Sequence, residues 1–183
     1  MRLLRLAVLY TAIALGANAA AAGTGAEALR EGDMRKLVFH TDPRPLPRAA
    51  LLDERDAPQD LTGYEGRIVV LNFWATWCAP CRHEMPSLDR LEATLGGGDL
   101  AVVPVATGRN PVPGIERFYA EAGITHLPVL RDPSSALARE MGVLGLPVTV
   151  ILDREGREIA RLTGDAEWDS DSAIAILTAL IAE

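Results

Sequence analysis

Cys78 and Cys81 are the only two cysteines of the chain, and they lie three positions apart in the stretch WCAPC. A zinc site needs four ligands, of which this pair supplies two. Covalent haem attachment requires a histidine directly after the second cysteine, where this chain has Arg82. A structural disulfide across so short a loop would add little stability. The spacing therefore favours thiol–disulfide exchange over these alternatives.

The flanking sequence predicts that the first of these sulfurs is activated. Residues 67–75 form a continuous apolar run rich in β-branched residues, which predicts a buried strand. Apolar residues at three- and four-residue steps over 79–95 predict a helix with one buried face. Cys78 would then be an exposed helix N-cap, where unpaired backbone N–H groups and the helix dipole stabilise a thiolate. Cys81, one turn further and more buried, would attack second.

Two neighbours of the cysteines could support exchange with a partner molecule. Pro80 falls in the first helical turn, where its missing N–H costs nothing and its fixed φ stiffens the loop. Trp77 directly precedes Cys78 and offers a flat apolar surface. We expect both residues to belong to a substrate-binding surface.

Strands and helices alternate along the rest of the chain. Further strands are predicted over 100–107, 147–153 and 158–164, and helices over about 113–122, over about 134–141 and from about Ser170 onward. Parallel strands joined by crossovers, followed by an antiparallel hairpin, make a mixed central sheet. Because a parallel core needs helices on both faces, the sequence predicts an α/β protein built as a three-layer α/β/α sandwich.

The N-terminal residues have the pattern of an export segment. Arg2 and Arg5 flank the start of an apolar run over 6–15, and small residues follow at 16–23. A basic start, a short apolar run and small residues are typical of a secretory signal. If the alanines are counted, the run reaches the lower limit for crossing a bilayer. Residues 1–22 are therefore interpreted as a signal peptide or a membrane anchor.

The compact domain is predicted to begin near residue 49. Residues 23–48 are interpreted as a linker and N-terminal extension, because the stretch 40–48 carries three prolines that forbid helix and favour an extended path. Residues 49–183 then form one domain, since a chain of 183 residues is too short for two ordinary ones.

The charge balance argues against some partners. The chain has 18 Lys and Arg and 25 Asp and Glu, and the first 22 residues carry two of the basic residues and none of the acidic ones. The remainder therefore has a net charge of −9. An acidic surface is poorly suited to nucleic acid or anionic lipid, so we expect no nucleic-acid partner and membrane contact only through the N-terminal segment.

The cysteine region resembles a known family. The stretch VVLNFWATWCAPCRHEMPSL at 69–88, with VLGLPVTVILDREG at 143–156, is similar to the TlpA/ResA branch of the thioredoxin-like proteins. The stretches at 106–124 and 163–168 resemble the TlpA branch most closely. Members of this family are exported, usually membrane-anchored thiol–disulfide oxidoreductases. The resemblance covers about residues 60–165 and implies a thioredoxin-like fold.

The resemblance also implies roles for individual residues. Cys78 matches the attacking cysteine and Cys81 the resolving cysteine. Pro147 matches the cis-proline that faces the active site, and Leu146 before it would offer backbone groups to an extended substrate segment. We expect no cofactor and no metal, since the redox-active group would be the Cys78–Cys81 disulfide itself.

One departure from cytoplasmic thioredoxins concerns the proton acceptor. Those proteins keep an aspartate six residues before the first cysteine, where this chain has Asn72, which cannot titrate. Glu84 lies three residues after Cys81, on the same helix face, and relatives of ResA place a functional glutamate there. We hypothesise that Glu84, with its pKa raised by partial burial, takes the proton from Cys81.

The predicted function is reduction of disulfides in exported partner proteins in the periplasm. The resemblance implies a membrane thiol-electron donor and clients in oxidase copper-site assembly or cytochrome c maturation. We expect a monomer. The alternatives are a thiol peroxidase, although Ala75 stands where the peroxiredoxin pattern has threonine, and a non-enzymatic copper carrier, which no Met-rich stretch supports.

Overall fold

A computed structural model describes residues 24–183 of the chain. The predicted signal peptide or membrane anchor at 1–22 lies outside the described residues. Among the described residues, no helix has the length and apolar character needed to cross a membrane.

The described chain contains thirteen helices and strands, apart from two short 3₁₀ turns at 32–36 and 62–64. In chain order they are α1 Thr24–Glu27, β1 Val38–Pro45, β2 Leu51–Leu52, β3 Pro58–Gln59, β4 Ile68–Trp74, α2 Ala79–Leu95, β5 Leu100–Thr107, α3 Val112–Ala122, β6 Leu130–Asp132, α4 Ala136–Glu140, β7 Val148–Leu152, β8 Arg157–Thr163 and α5 Asp171–Ala182.

All eight strands form one mixed sheet in the order β1-β8-β7-β4-β5-β6-β2-β3. The pairs β4/β5 and β5/β6 are parallel, and β7 runs antiparallel to both β4 and β8. The predicted mixed sheet is therefore confirmed. Its centre is β4, which ends directly before the cysteine turn and is buried along its whole length.

Alternating side chains of β4 enter two separate apolar clusters on opposite faces of the sheet. One set comprises Ile68, Val70 and Trp74, and the other Val69, Leu71 and Phe73. The first cluster also holds residues of α1, α2, α3 and α5. The second holds residues of α4 and β2, with side chains of the 46–64 region packed against it. The three-layer arrangement is confirmed, with most of the helical cover on one face.

Within residues 24–48, the structure differs from the linker that the sequence predicts. Their prolines do produce an extended path, but β1 pairs with β8 and forms an edge of the sheet. Met34 and Leu37 are fully or almost fully buried in the first apolar cluster. The segment is therefore part of the folded domain rather than a linker. An edge strand tolerates proline because one side of its backbone needs no sheet partner, so prolines alone could not distinguish the two cases.

Candidate active site

The end of β4 and the start of α2 position the two cysteines. Cys78 has extended backbone angles, φ −88° and ψ 106°, and is the N-cap residue of α2. Its Sγ accepts a hydrogen bond from the backbone N–H of Cys81 at 3.2 Å. Pro80 lies in the first turn, where no intrahelical N–H bond is lost. The sulfur therefore faces the positive end of the helix, as the sequence predicts.

Cys78 and Cys81 are joined by a disulfide, with their Cα atoms 5.3 Å apart. Cys78 keeps 6% of its surface exposed, whereas Cys81 is completely buried. Cys78 is thus less exposed than the sequence predicts, yet it is the residue of the pair that keeps some accessible surface. The two residues of the pair therefore differ in their access to solvent.

Glu84 lies on the same helix, one turn after Cys81, and is completely buried. Its Oε1 accepts a hydrogen bond from Asn72 Nδ2 at 2.8 Å. Its Oε2 accepts from the backbone N–H of Ala166 and from Trp168 Nε1, each at 3.2 Å. The carboxyl group is therefore enclosed between β4, α2 and the connection from β8 to α5.

Burial decides the protonation of this carboxyl group. Removal from water raises the pKa of Glu84 to about 7, while the hydrogen bonds from Asn72, Trp168 and Ala166 act in the opposite direction. The nearby negative charge of Asp165 adds a smaller upward effect. The burial is complete rather than partial, so the expected raised pKa has a stronger cause than the sequence indicates. A carboxyl group with a pKa near 7 can both accept and release a proton at neutral pH.

Asn72 connects this carboxyl group to the neighbouring strand. Its Nδ2 donates to Thr149 Oγ1 at 2.9 Å as well as to Glu84, and Asn72 and Thr149 are direct cross-strand partners between β4 and β7. Asn72 is fully buried and carries no charge. It therefore holds Glu84 in place without competing for its proton.

The peptide bond between Leu146 and Pro147 is cis, as the resemblance implies. Phe73 and Val148 form the last pair of the β4/β7 ladder, and Pro147 directly precedes Val148 in the chain. Pro147 therefore lies at the end of the sheet where the cysteine turn begins. Leu146 is half-buried and packs against both apolar clusters. Both residues thus lie at the same end of the sheet as the cysteines.

Two large apolar side chains are exposed at this end of the sheet. Trp77 is 69% exposed, and Leu144 is 100% exposed. Sequence analysis did not single out Leu144, although a leucine within the glycine-containing stretch GVLGLP could have been recognised as a loop residue.

Asn110 and Trp168 are further residues that sequence analysis did not single out. Asn110 Oδ1 accepts hydrogen bonds from both the backbone N–H and the hydroxyl of Thr76, at 2.8 and 2.9 Å, and so fixes the turn before Cys78. Trp168 reaches Glu84 from 84 positions further along the chain. No local pattern predicts either contact, because each depends on how distant segments pack.

Each of the three histidines lies close to a carboxyl group. His83 Nδ1 lies 3.5 Å from Asp165 Oδ2, and His126 Nδ1 lies 3.0 Å from Asp89 Oδ2. His40 Nε2 lies 2.7 Å from Glu158 Oε1. Within residues 24–183, no group of three or more His, Cys, Asp or Glu side chains is placed to hold a metal ion.

Comparison with known proteins agrees with this geometry. The family model described as Redoxin matches residues 42–177. The thiol-disulfide oxidoreductase ResA of Geobacillus thermodenitrificans is 33% identical over 118 residues, which cover 64% of this chain and 67% of ResA. The thiol:disulfide interchange protein HelX of Rhodobacter capsulatus is 32% identical over 105 residues, which cover 57% of each protein.

Solved structures share the fold. A thiol:disulfide interchange protein DsbE from Chlorobium tepidum superposes with a TM-score of 0.64 at 27% identity, covering 75% of this chain and 96% of that one. The exposed lipoprotein thioredoxin of Streptococcus pneumoniae superposes with a TM-score of 0.60 at 29% identity, and the match covers 75% of this chain and all of that one. With its cysteine pair at a helix N-terminus beside a buried glutamate, the chain belongs to the Redoxin family and is a thioredoxin-like thiol–disulfide oxidoreductase of the TlpA/ResA type.

Proposed function

We propose that this enzyme reduces disulfides in exported partner proteins in the periplasm. The observation that carries the proposal is the arrangement of one accessible and one buried cysteine at the N-terminus of α2, with the buried Glu84 one turn further. The dipeptide Ala79-Pro80 between the cysteines is closer to the Gly-Pro of reducing thioredoxins than to the Pro-His of strong oxidants.

In the first step the Cys78 thiolate attacks a disulfide of the client protein. The client S–S bond breaks, one client sulfur leaves as a thiolate, and the other becomes bonded to Cys78 as a mixed disulfide. The N-terminus of α2 stabilises the Cys78 thiolate, which makes it the better nucleophile at neutral pH.

In the second step Cys81 resolves the mixed disulfide. Glu84 accepts the proton of the Cys81 thiol, and the Cys81 thiolate attacks Cys78 Sγ. The bond between Cys78 and the client sulfur breaks, and that sulfur leaves as a thiolate. The client gains two electrons, and the enzyme is left with the Cys78–Cys81 disulfide that the structure contains.

The client would bind across the apolar end of the sheet. We assign Trp77, Pro80, Leu146 and Pro147 to this surface, because Trp77 and Pro80 flank Cys78 along the chain and the cis Leu146–Pro147 bond lies at the same end of the sheet. An extended client segment could pair with the backbone of Leu146 while its cysteine reaches Cys78. By family resemblance, the clients are proteins of oxidase copper-site assembly or cytochrome c maturation.

The proposed reducing role requires a supply of electrons, because the periplasm is oxidising. Each turnover leaves the Cys78–Cys81 disulfide, which a thiol donor must reduce before the next client can react. A membrane thiol-electron donor is the source that family resemblance implies. The basic and apolar start of the chain at 1–22 supports export and would bring the enzyme to that membrane.

A trapping experiment tests the cysteine roles. In Cys81→Ser the second attack cannot occur, so we expect client proteins to stay covalently bound to Cys78 and to be released by dithiothreitol. Cys78→Ser is the matched control, since it should trap little because the remaining thiol is buried. Non-reducing gels of periplasmic extracts measure the adducts. Partners held only by noncovalent contacts would contradict the proposal.

The role of Glu84 is tested by the pH dependence of Cys81 reactivity in Glu84→Gln. In the wild type, the resolving step should speed up as pH rises through about 7, because Glu84 must lose its proton before it can accept another. In Glu84→Gln that rise should disappear, with a loss of about 100-fold at pH 7.5, the lower end for acid–base catalysis. Stopped-flow kinetics measure the step, and an unchanged pH profile would refute the role.

A further inference from the structure

The two carboxyl oxygens of Glu84 have unequal sets of hydrogen-bond partners. Oε1 accepts one N–H, from Asn72, whereas Oε2 accepts two, from Ala166 and Trp168. Each carboxylate oxygen offers two lone-pair directions. Among the described residues, the donors therefore fill both directions at Oε2 and leave one at Oε1. A proton arriving at Glu84 has its open position on Oε1.

We propose that Trp168 is a positioning residue for the redox reaction: its indole N–H, donated to Glu84 Oε2, directs the proton from Cys81 to Oε1 and stabilises the charged carboxylate. The inference rests on the proposed function in that Glu84 must be the proton acceptor. The hydrogen bond and its effect on Glu84 can be measured without any redox reaction.

The indole of Trp168 is held in place from the helix that carries Glu84. The backbone N–H of Trp168 donates to Ser87 Oγ at 3.0 Å, and Ser87 Oγ donates to the backbone oxygen of Glu84 at 2.7 Å. Trp168 is fully buried. Because Ser87 and Glu84 lie on α2, the connection before α5 is attached to that helix at both residues. The indole N–H therefore keeps a defined position relative to the carboxyl group.

A hydrogen bond from Trp168 favours the charged form of Glu84 over the neutral form. An N–H that donates to an ionised acceptor forms a stronger bond than one that donates to a neutral acceptor. In a fully buried site this difference is not reduced by competing water. Burial alone would keep Glu84 protonated at neutral pH, so its donors are needed for it to act as a base.

Trp74 provides an internal comparison. It is also buried, with 1% of its surface exposed, but its Nε1 has no hydrogen-bond partner among the described residues. Its ring packs against Phe118 and Tyr119, at centroid distances of 5.5 and 5.9 Å. Replacing either tryptophan by phenylalanine removes a similar volume from the core. Only the change at Trp168 also removes a donor to Glu84.

Other ionisable groups near Glu84 also influence its pKa, and their effects must be distinguished from that of the Trp168 hydrogen bond. Asp165 lies in the same connection and acts on Glu84 through its charge. His83 lies 3.5 Å from Asp165, and Cys81 is one turn away on α2. On the strands that pack against Glu84, the polar residues are uncharged: Asn72 of β4 donates to Glu84, and Thr149 of β7 accepts from Asn72. The titration is therefore made on the oxidised protein, in which Cys81 does not ionise, and repeated in His83→Gln.

Indole NMR of the intact oxidised wild-type protein is the first measurement, and variants serve only as its controls. The ¹⁵N–¹H signal of Trp168 Nε1 should titrate with the same midpoint as the carboxyl carbon of Glu84. The Trp74 signal should stay constant over that pH range. The Trp168 titration should persist in His83→Gln and vanish in Glu84→Gln. A Trp168 signal that does not follow Glu84 overturns the inference.

The variants then test the energetic effect. Trp168→Phe should raise the pKa of Glu84 by about one unit, a tenfold increase in its proton affinity, since a hydrogen bond to the charged form is lost. The pH profile of the resolving step should shift upward by the same amount. Trp74→Phe should leave the pKa of Glu84 unchanged. Equal shifts in both variants would assign the effect to core volume and overturn the inference.

Failure of the proposed function gives a different result. If Cys81→Ser traps no clients but the Trp168 signal follows Glu84, the reductase proposal is wrong and the hydrogen bond stands without a redox role. If trapping succeeds but Trp168→Phe leaves the pH profile of the resolving step unchanged, the positioning role is wrong and the reductase proposal stands.

Discussion

At the scale of single residues, the site depends on which of two buried positions carries the charge. Asn72 occupies the position where cytoplasmic thioredoxins have an aspartate, and its amide donates to Glu84 Oε1 at 2.8 Å. The carboxyl group is instead on α2, at Glu84, with a pKa raised by burial to about 7. Asn72 donates a hydrogen bond to Glu84 but has no ionisable group of its own, so it does not compete with Glu84 for a proton.

Asn72→Asp should therefore disturb the titration of Glu84, the proposed proton acceptor. Two buried carboxyl groups at hydrogen-bond distance cannot both be charged at low cost, so they should share a proton and titrate in two steps, with the upper step well above 7. Carbon-detected NMR of the carboxyl groups measures both steps. Thr149→Val removes the other partner of Asn72 without adding charge and should preserve a single step. A single, unchanged midpoint in Asn72→Asp would show that the two groups do not interact.

At the scale of elements, the turn between β4 and α2 is fixed by a residue that follows β5. Asn110 is 5% exposed, and its Nδ2 donates to the backbone oxygen of Thr107 at 2.8 Å while its Oδ1 accepts twice from Thr76. The parallel β4/β5 pair brings these two ends together, since the carboxyl ends of parallel strands meet at one edge. The geometry before Cys78 thus depends on both strands.

Asn110→Ala should loosen this turn. Loss of the buried acceptor leaves the Thr76 N–H without its partner and should destabilise the protein by about 1–3 kcal/mol. The reaction of Cys78, the proposed nucleophile, should also slow, because the loop before it loses the hydrogen bonds to Asn110. Urea unfolding and the rate of alkylation of reduced Cys78 measure the two effects. Asn110→Asp keeps an acceptor for Thr76 and should restore part of the stability and part of the alkylation rate. If Asn110→Asp behaves like Asn110→Ala, the lost contact to Thr76 is not the cause of the two effects.

At the scale of the whole molecule, the buried carboxyl group of Glu84 makes stability depend on pH. Between pH 4.5, the ordinary pKa of glutamate, and about 7, native Glu84 holds a proton that the unfolded chain has released. Stability must therefore fall as pH rises through this range. The pKa of Glu158 is changed in the opposite direction: hydrogen bonds from Arg161 and His40 outweigh its burial and lower it. The stabilisation that Glu158 contributes to the folded state is therefore fully present above the ordinary pKa of glutamate. It is lost as pH falls through the lowered pKa that Glu158 has in the native protein.

Glu84→Gln should remove the neutral-pH part of this dependence. The oxidised wild type should lose about 3 kcal/mol relative to the variant on going from pH 4.5 to pH 8, since one pKa unit corresponds to about 1.4 kcal/mol. Urea unfolding of both proteins across this range gives the difference, in which the contributions of other groups cancel. Identical pH slopes for the two proteins would show that Glu84 does not have a raised pKa in the native state.

Local patterns determine the elements around the cysteines. The bounds of α2 and β5 agree with the residues predicted from apolar periodicity, and Cys78 is the N-cap because a buried strand stops just before a helix with proline in its first turn. The shorter strands β2, β3 and β6 were missed, since two or three residues carry too little pattern to identify. The pairing of β1 was missed because prolines describe the path of a strand and not its neighbour.

By itself, the sequence determined the chemistry: a cysteine pair at a helix N-terminus, an asparagine where a titratable group could have been, and a glutamate one turn beyond the second sulfur. Tertiary structure alone decided the state of that glutamate. Its complete burial, and its hydrogen bonds from Ala166 and Trp168, come from a connection more than 80 positions away. A pKa depends on the solvent and donors that surround a group in space, and only packing brings these together.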